Sequence, residues 1–422
     1  MRWPIYTIDS IKSKQRYSLI GGPFGSNLTT RDYVDDGVPV IRGANLPDDR
    51  TFHDDDFVYV SDDKADQLSS NLAFSGDLII TQRGTLGQVG LIPEGCRFKR
   101  YVLSQSQMKL TVDRAIVDPL YAYYFFRQPS TVQFIRNHDA SSGVPHINLG
   151  VLKSMRIPMP PLVSQQRIAD TVGGYDNLID NNRRRIQLLE DSVRLLFDEW
   201  FVQLRFPGHG QAAMTAGWPD DWPRATLQQV CVPGSGIQTG PFGSQLHQAD
   251  YADEGVPVVM PKDLATMRVS LDTIARIPES LADELGRHRM QRGDIVYGRR
   301  GDIGRRAYIG GRQQGYFCGT GCLRLRADPA QIHPRFLFEI LGSPEVAGEI
   351  ANRAKGSTMA NLSAGALRTV TVPIPPRALQ NRFAPLAEDV GEMIDTLTAM
   401  NTKLRTARDL LLPRLMSGEL TV

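Results

Sequence analysis

The chain has 422 residues and carries 48 Lys and Arg against 46 Asp and Glu, a formal charge of +2 with a pI near 8.3. That length exceeds one ordinary core, so two or more domains are expected. The near-balance of charge excludes a generally basic nucleic-acid binder, and any basic footprint must be local.

At the N-terminus, MRWPIYTIDSIKSK lacks the continuous apolar core of a signal peptide, and no run of about 18 apolar residues follows, so a cytoplasmic protein without membrane contact is expected. Residues 20–40 read IGGPFGSNLTTRDYVDDGVPV. GVPVIR (37–42) and GDLIIT (76–81) are short apolar runs behind turn residues and predict strands, whereas PLYAYYFFRQPSTVQFIR (119–136) carries helical spacing. The globular segment closes on Pro160-Pro161, a plausible helix start because proline is tolerated in a first turn. Apolar residues then step through Ile168, Val172, Tyr175, Ile179, Ile186, Leu189, Val193, Leu196 and Trp200 in fours and threes, with Asn182 completing the ladder. This is coiled-coil spacing, and Asn182 on the seam predicts a register device. Gly173 and Gly174 each disfavour helix by about 1 kcal/mol relative to alanine, so a bend or frayed turn is expected there.

The second half repeats the first. Trp222 answers Trp3, and QTGPFGSQLHQADYADEGVPV (238–258) answers residues 20–40. RGDIVYGRRGDIGRRA (292–307) answers SGDLIITQRGTLGQVG (75–90), HPRFLFEIL (333–341) answers DPLYAYYFF (118–126), and both halves leave through a Pro-Pro pair. A period of about 215 residues is far beyond solenoid repeats and means duplication of a whole domain. Residues 43–74 and 265–291 have little in common, so a shared frame carries divergent inserts. Cys318 and Cys322 are half of a zinc pattern without a second pair, and with Cys96 and Cys231 they are too few for a disulfide framework. They read as buried small hydrophobes. The second heptad ladder is predicted as Phe383, Leu386, Val390, Met393, Leu397, Met400, Leu404, Ala407 and Leu411. The short connection after Phe206 lets the second helix pair with the first only by running back. An antiparallel coiled coil of roughly 55 Å, with one globular domain at each end about a pseudo-twofold axis, is therefore expected.

On its two GPFGS blocks, its GD…RxGxxG blocks, its I/V-P-x-P-P exits and its heptad helices, the chain resembles the specificity subunit of type I restriction-modification systems over essentially its whole length. It departs from that pattern in PPLVSQQR, which lacks an acidic residue before the Gln, and in PPRALQNR, which has Asn where a second Gln-like position stands. The resemblance implies an α/β mixed (α+β) fold. Its segments would be a target-recognition domain at 1–160, a spacer helix at 161–205, a linker and second target-recognition domain at 206–375, and a second spacer helix at 376–422. It further implies a non-catalytic reader of double-stranded DNA that binds two methyltransferase (M) subunits and, through them, endonuclease/translocase (R) subunits. S-adenosylmethionine, ATP and Mg would belong to those partners, with no cofactor or metal in this chain. Each domain would read one half of a split target, with half-sites about 34 Å apart.

The densest basic stretch, residues 287–312, offers Arg299, Arg300, Arg305 and Arg306 for phosphate and guanine contact. The matching region of the first copy offers Arg83, Thr85 and Gln88, followed by Lys99 and Arg100. Ser26 and Ser244 in GPFGS are candidate donors, although Gly-Pro and Gly-Ser often form turns alone. His146, Asn148, Lys355 and Asn361, just before the Pro-Pro exits, are polar candidates. DPLY at Asp118 lacks the second proline of a methyltransferase motif, and no P-loop lysine follows GGPFGS. Two alternatives stay open: the specificity partner of a fused type II nuclease-methyltransferase, and a coiled-coil adaptor that does not touch DNA.

Overall fold

A computed structural model describes residues 3–48, 50–139, 143–207, 214–215, 218–219, 222–242, 245–265, 267–271, 273–354 and 361–422. Two compact units emerge, residues 1–182 with 400–422 and residues 183–399. Each contains one globular segment and a part of both long helices.

In the first unit, Ile5–Thr7 pairs antiparallel with Arg156–Pro158 and ties together the two ends of the globular segment. A four-stranded antiparallel sheet follows the order Leu19–Gly21, Gln107–Leu110, Leu78–Thr81, Val89–Leu91. A five-stranded sheet follows the order Tyr33–Val34, Val58–Val60, Val38–Ile41, Tyr101–Leu103, Leu72–Ala73. The predicted strands are thus Val38–Ile41 and Leu78–Thr81. Every residue of both is buried, which is why they read as continuous apolar runs rather than alternation.

The helical run at 119–136 divides into Pro119–Arg127 and Pro129–Asn137. Gln128 is extended because the following proline disfavours helical geometry before it. Asp118 caps the first helix, its carboxylate accepting from the Tyr121 amide at 2.8 Å. Tyr121 and Phe126 then pack with Ile80 and Met108 into a core that also takes Ile168 and Val172 of the first long helix and Leu412, Leu415 and Met416 of the second.

The second unit repeats this frame. Arg224–Thr226 pairs with Thr371–Pro373, and a four-stranded sheet runs Ile237–Thr239, Cys322–Arg326, Asp294–Gly298, Arg306–Tyr308. The sheet that draws on the divergent insert differs, with three strands ordered Ala275–Ile277, Val256–Val259, Phe317–Cys318. Sequence divergence between the copies therefore falls on one sheet and its connections. Cys231, Cys318 and Cys322 are buried, and burial pushes the Cys318 thiol up to about 12. In the connection, Met214–Thr215 pairs with Trp218–Pro219.

The long helices run Leu162–Phe197, ending in a π turn at Asp198–Val202, and Arg377–Ser417. Both start directly after the Pro-Pro pairs. The glycine pair does not fray the first helix. Gly173 is buried against the core, where a Cβ would make ordinary contact with the Tyr124 hydroxyl at 3.5 Å, so packing on the core holds this turn helical. Each start is clasped by a glutamine. Gln165 accepts from the Asp118 amide at 3.0 Å and donates to the Pro160 carbonyl at 2.9 Å, and Gln380 does the same with His333 and Pro375, at 2.8 Å each.

Within each unit the helices pair antiparallel. In the first, Asn182 Nδ2 donates to Asn401 Oδ1 at 2.9 Å, Asp176 meets Arg408 at 2.5 Å, and Val172 shares a core with Leu412. In the second, Ile186 packs with Ile394 and Leu397, and the Phe197 and Phe383 rings lie 5.8 Å apart. Ile168, Val172, Ile179, Asn182, Ile186 and Val193 are buried, and Leu189 and Leu196 half-buried.

The second ladder needs correction. Leu386, Met393 and Met400 are each nearly half exposed, while Ala387, Ile394 and Asn401 are buried beside Val390 and Leu397, with Leu404 and Leu411 half-buried. From each shared heptad position the seam continues four residues on, not three. The more apolar Leu and Met at the i+3 positions mask this in the sequence.

Candidate nucleic-acid interface

In the first unit three segments converge on one open groove: the GPFGS loop, the loop between Leu78–Thr81 and Val89–Leu91, and Pro145–Asn148. The groove is lined by Gly22, Phe24, Arg83, Gln105, His146 and Asn148, among others. Backbone bonds lock it. The Gly84 amide donates to the Pro145 carbonyl at 2.8 Å and the Ile147 amide to the Gln82 carbonyl at 2.9 Å, and Arg83 bridges His146. Side chains complete the lock: Gln82 Nε2 donates to the Gln105 carbonyl at 2.7 Å, and Gln105 Nε2 donates to the carbonyls of Gly25 and Leu28 at 2.6 and 2.7 Å. Neither glutamine stands out in the sequence.

The second unit builds the same junction. The Leu362 amide donates to the Arg299 carbonyl at 2.8 Å, and Arg300 bridges Asn361. Gly84, Gly87, Gly301 and Gly304 all have φ between +76° and +129°, a region that favours glycine. The RxGxxG repeat is thus the sequence requirement of one loop conformation made twice. At Gly87 a Cβ would also lie 2.7 Å from Val132.

The GD element that precedes each loop is structural. Asp77 accepts from the Phe74 amide at 2.8 Å and from the Thr111 hydroxyl, and Asp294 accepts from the Gln291 amide at 2.7 Å and from Arg326 at 2.7 Å. Burial raises the Asp77 carboxyl above its usual range against the pull of nearby Lys109.

The predicted contact residues divide into those facing solvent and those used internally. Arg83, Thr85, Lys99 and Arg300 are exposed, as is Ser26, and among the described residues no carboxylate pairs with Arg83, Lys99 or Arg300. Arg299 donates to Asn361 Oδ1 at 3.3 Å, while its Nε is buried without a partner. Burial and the adjacent Arg300 charge lower its pKa from the ordinary guanidinium value. His146 is half-buried at the groove wall, its amide bonded to Asp139. Arg305 is exposed but held by Asp302 at 2.8 Å. Asn148 is exposed and caps the helix Leu149–Ser154 through Val151.

Three residues are engaged by the protein itself. Arg100 is held between Asp62 and Asp66 at 2.6 Å each. Gln88 spans to Gly43 and Leu46 and to Thr81. Arg306 donates to the Phe338 carbonyl at 3.0 Å with its guanidinium 4.9 Å from that ring, because it opens a strand whose face packs on the helix Pro334–Ile340. Gln88 and Arg306 are committed to interior partners, whereas Arg100 stays at the surface between its two carboxylates. Ser244 and Lys355 lie outside the described residues. No group of three or more His, Cys, Asp or Glu side chains that could hold a metal occurs among the described residues, and no described helix is long and apolar enough to cross a membrane.

The paired architecture has counterparts in known proteins. The family model described as "Type I restriction modification DNA specificity domain" matches residues 26–191 and 219–405, once per copy. The chain is 22% identical over 339 residues to the type I restriction enzyme MjaVIII specificity subunit of Methanocaldococcus jannaschii, covering 77% of this chain and 75% of that protein. It is 22% identical over 353 residues to the MjaIX specificity subunit of the same organism, covering 82% and 78%. A solved type I restriction-modification S subunit from M. genitalium aligns over 99% of this chain and 96% of its own, with a TM-score of 0.58 at 18% identity, a likeness of fold.

Proposed function

The chain belongs to the type I restriction-modification DNA specificity family, and on that premise we propose that each unit reads one half of a split double-stranded DNA target through the face that carries its RxGxxG loop. It is a recognition subunit, and the chemistry of methylation and cleavage resides in the proteins it assembles with. The proposal extends to two methyltransferase subunits bound by this chain, to endonuclease/translocase subunits recruited through them, and to S-adenosylmethionine, ATP and Mg held by those partners.

The observation that carries the reading is the duplication of the junction between the RxGxxG loop and the pre-helix segment. Each copy joins a glycine-shaped RxGxxG loop to the polar residues that precede its long helix, and each presents an uncompensated arginine, Arg83 or Arg300. Two like guanidiniums at 299 and 300, one with an orphaned buried Nε, suit a phosphate, whose oxygens would satisfy that donor and offset the mutual repulsion. Thr85, Lys99, His146 and Asn361 stand as further polar contacts. The divergent inserts carry the difference between the half-sites.

The test is DNA binding by the assembled complex across a salt series. Arg83→Ala and Arg300→Ala each weaken binding and flatten the dependence of log K on log salt by about 0.9, one phosphate contact each. Affinities and slopes equal to wild type would exclude these residues as phosphate contacts.

A further inference from the structure

We infer that Phe24 and Phe242 set their rings directly against the bases of the bound duplex, one ring for each half-site. The inference rests on the DNA-reading function proposed above and adds to it an apolar contact that the polar candidates do not supply.

Phe24 is 82% exposed and Phe242 58% exposed. Phe24 is the most exposed large apolar side chain among the described residues. A phenylalanine in water forfeits the burial that favours it in a folded chain, and a single exposed ring needs no explanation. Two rings at equivalent positions of a duplicated motif are a different matter, because both copies keep the feature where the inserts have diverged.

The backbone leading into each ring is held in place. Gly22 donates to the Gln107 carbonyl at 2.7 Å, and a Cβ on it would lie 1.9 Å from the Ser104 carbonyl oxygen. Gly240 donates to the Cys322 carbonyl at 3.0 Å, and a Cβ there would lie 2.0 Å from the Gly319 oxygen. Pro23 and Pro241 are buried. Gln105 fixes the Gly25 carbonyl, and the Thr320 hydroxyl fixes that of Pro241 at 3.1 Å. The residues that lead into each ring are anchored while the ring projects into solvent.

The surroundings favour DNA as the occupant. Phe24 borders the same groove as Arg83 and His146, so a duplex whose phosphates meet Arg83 brings its bases within reach of the ring. Phenylalanine has two ways to meet bases there: contact with a thymine methyl in the major groove, or partial insertion between base steps as an apolar wedge. Both place an apolar face on the base stack and leave phosphate contacts unchanged.

The experiment uses the full complex with its methyltransferase subunits and a duplex bearing the split motif that this complex methylates. Phe24→Ala and Phe242→Ala are expected to assemble at wild-type stoichiometry and to bind that duplex more than about 5-fold more weakly, as a contact at the centre of an interface does. Their salt slopes should stay at the wild-type value, and the two variants should lose discrimination at different half-sites. Phe24→Leu should recover part of the loss. Uracil in place of thymine weakens wild type alone if the ring meets the methyl, whereas 2-aminopurine beside the contact brightens with wild type alone if the ring is a wedge. Wild-type affinity in both alanine variants overturns the inference while leaving the DNA-reading function intact, as does loss of methyltransferase binding, which would make the rings a protein contact. Failure of the wild-type complex to bind the split duplex would instead remove the function on which the inference rests.

Discussion

Replacing Asn182 and Asn401 with leucine, singly and together, probes how the helices choose their register. The two carboxamides are buried and meet at 2.9 Å, and Asn401 also reaches the Ile179 carbonyl at 3.4 Å. Asn401→Leu leaves the Asn182 amide buried without its acceptor, a penalty of about 1–3 kcal/mol. A leucine buried in the seam returns about 1.5–3 kcal/mol, so each single variant should lie within about 2 kcal/mol of wild type. The double variant orphans neither amide and gains both leucines, so it should exceed the sum of the singles by the two penalties together, about 2–6 kcal/mol. Urea unfolding followed by helical circular dichroism measures this cycle, and with m of about 2 kcal/mol per molar the non-additive part moves the midpoint by about 1–3 M. Additivity within about 0.5 kcal/mol would refute the coupling. The double variant should also lose register specificity, and should methylate targets whose half-sites are one base pair further apart or closer together.

Other perturbations have equally definite outcomes. His288 is buried beside Arg287, and burial, reinforced by the Arg287 charge, lowers its pKa to about 4. Since the unfolded histidine titrates near 6.5, the unfolded state binds more protons, and stability is lost as pH falls from about 6.5 towards 4. Lowering the pH from 7 to 5 should cost the second unit about 1–2 kcal/mol in denaturant melts, and His288→Gln should remove that component. Gly22→Ala drives a Cβ to 1.9 Å from the Ser104 carbonyl, so it should destabilise the first unit by about 3 kcal/mol or more, seen as an early thermal transition, while Gly143→Ala, with nothing within 4 Å, should leave it unchanged. Inserting one helical turn in both long helices should alter half-site spacing and not the half-site letters, read from methylated motifs.

Much of this architecture is legible in the sequence because the chain states it twice. The repeat exposes the domain count, the Pro-Pro pairs mark the starts of both long helices, and Asn182 announces a polar step in the first seam. Its partner Asn401 is hidden because a heptad ladder can continue by three or by four residues, and Leu386, Met393 and Met400 make the wrong branch look more apolar than Ala387, Ile394 and Asn401. The basic stretch is less legible still. An arginine's identity does not tell whether it faces solvent, as Arg300 does, or spreads on a ring, as Arg306 does on Phe338. For Arg100 a signal is present: Asp62 and Asp66 sit four apart on one helix and can bracket a cation. The exposed rings of Phe24 and Phe242 are invisible to pattern, since phenylalanine in a strand-flanking loop ordinarily reads as core.

The central claim is that this chain reads a split DNA target with two homologous units. It is tested most directly by base-resolution methylation mapping of DNA from cells that express the chain with and without its partner methyltransferase subunit, using wild type and a variant whose residues 1–155 come from a relative. A two-part adenine-methylated motif that appears only when both proteins are present, and changes in one part alone in the variant, is the predicted result. No new methylation beside an active methyltransferase, or a variant that changes both parts together, would contradict it.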